Sequence, residues 1–369
     1  MSLSQRSCPA TIRLAILFGA VSSLATIWGQ NYTQTDLVAN QAGIAKTTDS
    51  NLVNPWGVSR SSGSPWWISD AGNGTSTLYA GDGTTIPLVV KIPALSNGMG
   101  SPTGTLFNGG TGFELAPGMP ALFLFVTADG LIEGWNPKVN PTTAVVMIKS
   151  PGASYTGAAL ATWNRQQYLY ASDFQNGRID VFDSSFNAVS SLGYNAFQPA
   201  QRDSEGNLGP FNLSPYNVQN IGGTLFVTFA KLNPANGFSM HAPGQGRVAA
   251  FTPTGQLIRE YQDGAWFNAP WGLALAPGDF GSFSHDLLVG NFGNGQILAF
   301  NANSGKFDGY MLDASGNTIS IPLLWALSFG SGGKSGSATS LYFTAIGATG
   351  GLFGSLDPAA TTLVQGNSN

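Results

Sequence analysis

Short apolar runs, most of them bounded by Gly, Pro, Asn or Asp, recur through the chain from about Tyr32 to Leu356. Runs this short, rich in β-branched and aromatic residues, read as strands separated by tight turns. They come in a fixed order. A Pro-aromatic-Gly turn opens an apolar strand, a second strand ends in Asp or Asn, a Gly-rich turn follows, and then a third strand. The clearest copy reads Asn268-Ala-Pro-Trp-Gly-Leu-Ala-Leu275, followed by Leu287-Leu-Val-Gly-Asn-Phe-Gly-Asn-Gly-Gln-Ile-Leu-Ala-Phe300.

Six degenerate copies align at Asn54-Pro-Trp-Gly57, Pro102-Thr-Gly104, Tyr155-Thr-Gly157, Pro215-Tyr-Asn217, Ala269-Pro-Trp-Gly272 and Leu324-Trp-Ala326, at spacings of 47 to 60 residues. Self-similarity at about this period belongs to propeller blades. The pattern predicts an all-β, six-bladed β-propeller over residues 30–358. Blade six has only three strands of its own, because Asp357-Pro358 breaks the chain, and the segment Tyr32-Thr-Gln-Thr-Asp-Leu-Val38 is the expected fourth. Pairing the first strand with the last blade closes the ring and hides two edges. Residues 359–369 read as an unstructured tail.

Composition agrees with this reading. Of 369 residues 49 are Gly and 21 Pro, and charged residues are only 9% against 43% hydrophobic, the reverse of a disordered chain. The net charge of −4 and the lack of a basic stripe exclude nucleic acid as an expected partner. The first 29 residues stand apart. Arg6 and Arg13 precede the apolar run Leu14–Val21, and small residues follow at Ser23-Leu-Ala25. This is the pattern of a signal peptide, cleaved between residues 25 and 30. The run is shorter than the ~20 residues needed to span a bilayer, so no membrane insertion is expected after cleavage. The single cysteine, Cys8, lies in this segment, and the mature chain is expected to be exported (periplasmic, secreted or on the cell surface) without disulfides.

Leu169-Tyr-Ala-Ser-Asp-Phe-Gln-Asn-Gly-Arg-Ile-Asp-Val-Phe-Asp183 resembles the NHL-type repeat of six-bladed propellers. Together with Asn51-Leu-Val-Asn-Pro-Trp-Gly57, Trp66-Trp-Ile-Ser-Asp70 and the blade-five copy above, the chain resembles an uncharacterised family of exported bacterial propellers. Many members of that family end in a PEP-CTERM sorting signal, which is absent after Thr362. The resemblance implies the fold and export, and it brings no activity.

Two sets of side chains are expected around the axis. The first sits at the turn into each inner strand: Trp56, Thr103, Thr156, Tyr216, Trp271 and Trp325. Trp56, Tyr216, Trp271 and Trp325 are the candidate ligand-binding residues, since aromatic faces stack on sugars and planar molecules, or else fill the wedges between blades. The second set ends each second strand: Asp70, Asp129, Asp173, Phe229, Asn291 and Ala345. Asp70, Asp173, Asn217 and Asn291 make a candidate axial oxygen cage for Ca²⁺, although Asp or Asn before a Gly turn also caps that turn unaided.

The sequence therefore supports a ligand-binding propeller whose axial face takes a small molecule, a glycan or a protein. The alternatives are a calcium-dependent hydrolase or lactonase-like enzyme and a structural cell-surface protein. His241 and His285 lie in loops and read as solvated residues. Two unpaired histidines make a zinc or copper site a poor expectation. Gly330-Ser-Gly-Gly-Lys-Ser335 lacks the strand-to-helix context of a phosphate loop.

Overall fold

A computed structural model of the chain describes residues 31–190, 192, 196–199, 213–348 and 350–359. The expected signal segment and most of the expected tail lie outside the described residues, as does most of the loop carrying Arg202, Asp203 and Glu205. Among the described residues nearly every regular element is a strand, apart from two three-residue 3-10 turns at Gly281–Phe283 and Gly333–Ser335.

Six sheets form the blades, antiparallel apart from one two-residue parallel pair in blade six. Blade one runs outward from Pro55–Ser59 through Trp66–Asp70 and Thr75–Tyr79 to Thr85–Lys91. Blades two, four and five repeat this four-stranded order, and blade three shows three strands among its described residues. Blade six orders Leu324–Phe329, Leu341–Ala345 and Leu352–Pro358, its fourth strand is Tyr32–Ala39, and the two-residue strand Thr47–Thr48 pairs in parallel beyond it. Tyr32 pairs with Pro358 and Ala39 with Leu352, so the N-terminal strand closes the ring. Pro358 is tolerated at the strand's end.

The core is split accordingly. Six buried apolar clusters lie in the wedges between successive blades, and a seventh lies at the axis. Period-two alternation makes this work. Trp66 packs toward blade six against Tyr342 and Phe353, while its neighbour Trp67 packs toward blade two against Phe123 and Trp135.

The inner strands share one device. In five blades the first inner residue pairs with the last residue of the second strand, as in Pro55 with Asp70 and Pro270 with Asn291, and the register then slips; in blade four the same slip follows the pair Pro215–Phe229, two residues into the strand. A bulge re-aims the side chain it carries. The residue after the pair is Trp56, Thr103, Thr156, Tyr216, Trp271 or Trp325. The next residue is usually glycine because adjacent inner strands touch there. A Cβ at Gly57 would collide with the Thr103 carbonyl, and one at Gly157 with Asn217.

Candidate functional site

One end of the ring is built from the turns into the inner strands and the turns leaving the second strands. A cavity of about 500 Å³ opens there, and every blade contributes to it. Its floor is a stack of rings. Trp325 lies between Trp56 (centroids 3.6 Å apart, planes 17°) and Phe292 (3.9 Å, 26°). Tyr216 approaches Trp325 at 6.0 Å and Phe174 leans on Tyr216 at 4.7 Å. Beyond the stack the channel between the inner strands narrows to about 30 Å³. The aromatic layer therefore plugs the axis.

Of the four expected ligand-binding aromatics, Trp56, Tyr216 and Trp325 line the cavity. Trp271 lies beneath them, edge-on to Trp325 at 5.9 Å, and lines the narrow channel instead. Both faces of Trp325 are covered by protein rings, so a ligand meets the outer rings of the stack and the edge of Trp325.

Hydrogen bonds between blades fix this layer. Thr103 Oγ1 donates to the Tyr155 carbonyl (2.6 Å) and Thr156 Oγ1 to that of Tyr216 (2.7 Å). Trp271 Nε1 donates to the Thr156 carbonyl (2.9 Å), Trp325 Nε1 to Asn54 Oδ1 (3.1 Å), and Thr344 Oγ1 to the Trp56 carbonyl.

The expected oxygen cage is arranged differently. Asn217 Nδ2 donates to the Trp271 carbonyl, and its Oδ1 accepts the Val218 N–H (both 2.9 Å). Asn291 accepts the Asn268 N–H at Oδ1 and donates to the Trp266 carbonyl. Asp173 caps its own turn through the N–H groups of Ser154 and Asn176 and meets Arg178 at 3.4 Å. Burial raises its carboxyl above the usual range, and these hydrogen bonds oppose the shift. Asp70 is fully buried and its carboxyl is held well above the usual range by desolvation. Three of the four thus have their oxygens engaged by the protein. Among the described residues no three His, Cys, Asp or Glu side chains converge as a metal site.

The strand-ending ring also needs two corrections. In blade two that position is Thr127, which pairs with Pro102, rather than Asp129, which lies beyond the strand. And the residues facing the cavity are the next ones along, Ala128, Phe174, Phe292 and Ile346, since a shift of one position changes the face.

A further part of the site comes from the loop between Thr224–Lys231 and Arg247–Phe251. It folds back through a bridge between Leu232 and Ser239 and brings Asn236, Phe238, Ser239 and His241 to the cavity. His241 is thus placed at the cavity, and its side chain stays exposed, as expected of a solvated loop residue. Its ring stands edge-on to Phe292 at 5.1 Å. Its Nε2 is 3.2 Å from Ser239 Oγ, which is 3.0 Å from the Tyr216 hydroxyl. Desolvation lowers the His241 pKa, and burial raises that of Tyr216. The histidine is therefore mainly neutral and the phenol protonated at pH 7. Among the described residues no Asp, Glu, Lys or Arg lines the cavity.

No protein-family model matches the chain. An uncharacterised protein of Acanthamoeba polyphaga mimivirus is 30% identical over 314 residues, covering 82% of this chain and 79% of the relative. A second uncharacterised mimivirus protein is 30% identical over 302 residues, covering 80% and 72%. The chain belongs to their family. These relatives are viral, so they do not support the bacterial setting implied by the repeat resemblance. Among solved structures, the soluble aldose sugar dehydrogenase of Escherichia coli superposes with a TM-score of 0.54 at 11% identity, over 89% of this chain and 100% of that one. A Bacteroides thetaiotaomicron protein of unknown function gives 0.53 at 10% identity, over 89% and 76%. At these identities the likeness establishes the six-bladed fold alone.

Proposed function

We propose that this is an exported propeller of the NHL-like kind that binds a small, neutral, planar ligand in its axial cavity. One observation carries the reading: a cavity of about 500 Å³ to which all six blades contribute, floored by stacked rings and lined, among the described residues, by no Asp, Glu, Lys or Arg. Ligand sites are commonly about 300–1,000 Å³, mostly apolar, with a few convergent polar groups. An ionic ligand finds no counter-charge here and would leave its charge poorly solvated. A flat apolar body meets ring faces, and its polar edge meets Ser239, Asn236 or His241.

A sugar also fits by size. It needs a dense set of free hydrogen-bonding groups, however, and Thr156 and Asn54 already serve neighbouring blades. Titration with the neutral probe N-phenyl-1-naphthylamine tests the proposal. Saturable one-to-one binding, weakened at least tenfold in Ser154→Phe, which fills the cavity, is the expected result. Non-saturable binding, or binding indifferent to that substitution, overturns it. A glycan array run in parallel scores the sugar alternative.

Export rests on the separate pattern of Arg6, Arg13, the apolar run Leu14–Val21 and the small residues that follow. N-terminal sequencing of protein recovered outside the cell should begin between residues 26 and 30.

A further inference from the structure

We infer that Ser239 and His241 form a nucleophile–base pair that gives the axial cavity an esterase or lactonase activity on neutral planar substrates. The inference deepens the ligand-binding reading and rests on it. The catalytic atoms lie at the wall of the same cavity. Ser239 Oγ has two partners, Tyr216 Oη at 3.0 Å and His241 Nε2 at 3.2 Å. A serine hydroxyl has one proton to give. The Tyr216 phenol is held protonated by burial, and we assign its proton to the hydrogen bond with Ser239. The Ser239 proton then points to His241 Nε2, with the imidazole proton on Nδ1. This directed chain, Tyr216 to Ser239 to His241, is the arrangement that activates a hydroxyl nucleophile.

The base has the right protonation state. Desolvation lowers the His241 pKa, so the neutral acceptor form predominates at pH 7. Asn236 supplies a further group. Its Oδ1 accepts the Phe238 N–H at 3.0 Å, which leaves its NH₂ end as a donor at the cavity wall for a substrate carbonyl oxygen.

The reaction balances with water as the only co-reactant. Ser239 Oγ bonds to the acyl carbon while its proton passes to His241 Nε2, and the carbonyl electron pair moves onto oxygen. Collapse breaks the acyl–O bond, and the departing alkoxide takes the proton from Nε2. Water then attacks the acyl-serine, giving its proton to Nε2, which returns it to Ser239 Oγ as the carboxylic acid leaves. For a lactone, acid and alcohol are one molecule. Tyr216 is a positioning residue: its hydrogen bond fixes the serine rotamer.

The test uses an uncharged aryl fluorophosphonate, with peptide mapping by mass spectrometry and N-phenyl-1-naphthylamine binding on the same samples. The expected result is a phosphonyl adduct on Ser239, absent in Ser239→Ala and formed about 100-fold more slowly in His241→Gln. All three proteins should still bind the naphthylamine saturably and one to one. Tyr216→Phe, which keeps the ring, should slow labelling while retaining saturable naphthylamine binding, a split that a loss of folding would not give. Naphthylamine binding with no Ser239 adduct overturns the catalytic inference alone. Loss of both overturns it together with the binding reading. An adduct on Ser239 that forms equally fast in His241→Gln also overturns it, because the histidine is then not the base.

Discussion

In blades one, five and six the chain enters the inner strand through a non-glycine residue of positive φ: Asn54 (49°), Ala269 (50°) and Leu323 (56°). Two residues later a tryptophan occupies the bulge. In blades two, three and four the entry residue is a serine, Ser101, Ser154 or Ser214, with ordinary φ, and the bulge holds Thr103, Thr156 or Tyr216. A left-handed conformation costs an L-residue about 1–2 kcal/mol. It is present in the three blades that turn an indole toward the axis. The two halves thereby divide the work. The tryptophan half supplies the centre of the plug, Trp325 between Trp56 and Phe292, and the other half adds Tyr216 and Phe174 to its edge while Thr103 and Thr156 tie neighbouring strands through hydroxyls.

The sharpest way to break this division is Trp325→Ala. It removes the ring between Trp56 and Phe292 and should cost about 3–5 kcal/mol in urea unfolding. A cost under about 1 kcal/mol would mean that the plug does not hold the axis together.

Glu133 comes next. It lies in blade two, pairs with Phe125 across the ladder, and is fully buried with both carboxyl oxygens unpartnered. Burial pushes its pKa up to about 9. The folded chain keeps this proton while the unfolded chain loses it above the ordinary glutamate value. The stability contribution is therefore intact below about pH 4.5 and lost as pH rises toward 9. Glu133→Gln should stabilise the protein by roughly 2–4 kcal/mol at pH 8 and change little at pH 4, in melts recorded at both.

Asn54→Ala should cost about 1–3 kcal/mol, because it strands the Trp325 N–H and leaves alanine at positive φ. Thr156→Val, its counterpart in the other half, should cost about 1 kcal/mol, the worth of one hydroxyl-to-carbonyl bond. Similar costs for these two would erase the distinction between the halves. The smallest effect is expected from metal. The oxygens of Asp173, Asn217 and Asn291 are engaged across both halves, so neither Ca²⁺ nor EDTA should move Tm by more than about 1 °C.

The fold was legible because the repeat is punctuated. Pro-Trp-Gly and Asp or Asn before Gly mark the same strand ends in blade after blade, and a closing strand was implied by the missing one in blade six. The aromatic ring was legible for the same reason: it occupies one repeat position, although its stacking around Trp325 is a tertiary fact. The acidic ring was off by one residue. Asp173 and Asn291 turn into their own blades to cap turns, while Phe174 and Phe292 face the axis, and period-two alternation gives the sequence no way to mark which neighbour wins. Asp129 missed because Asp129-Gly130 belongs to the turn that Thr127 begins. Ser239 and His241 sit in a non-repeating loop, where no periodicity reports what the loop folds against. Their one sequence signal was that the loop interrupts a regular blade.

The central claim is that ligand binds at the axis, among all six blades. Photo-crosslinking with a neutral aryl diazirine, followed by peptide mapping, locates the binding directly. Saturable adducts on cavity residues such as Phe238, Ser239 and Phe292, displaced by N-phenyl-1-naphthylamine, are expected. Adducts confined to the exposed outer strand at Leu257 and Ile258, with none in the cavity, would contradict it.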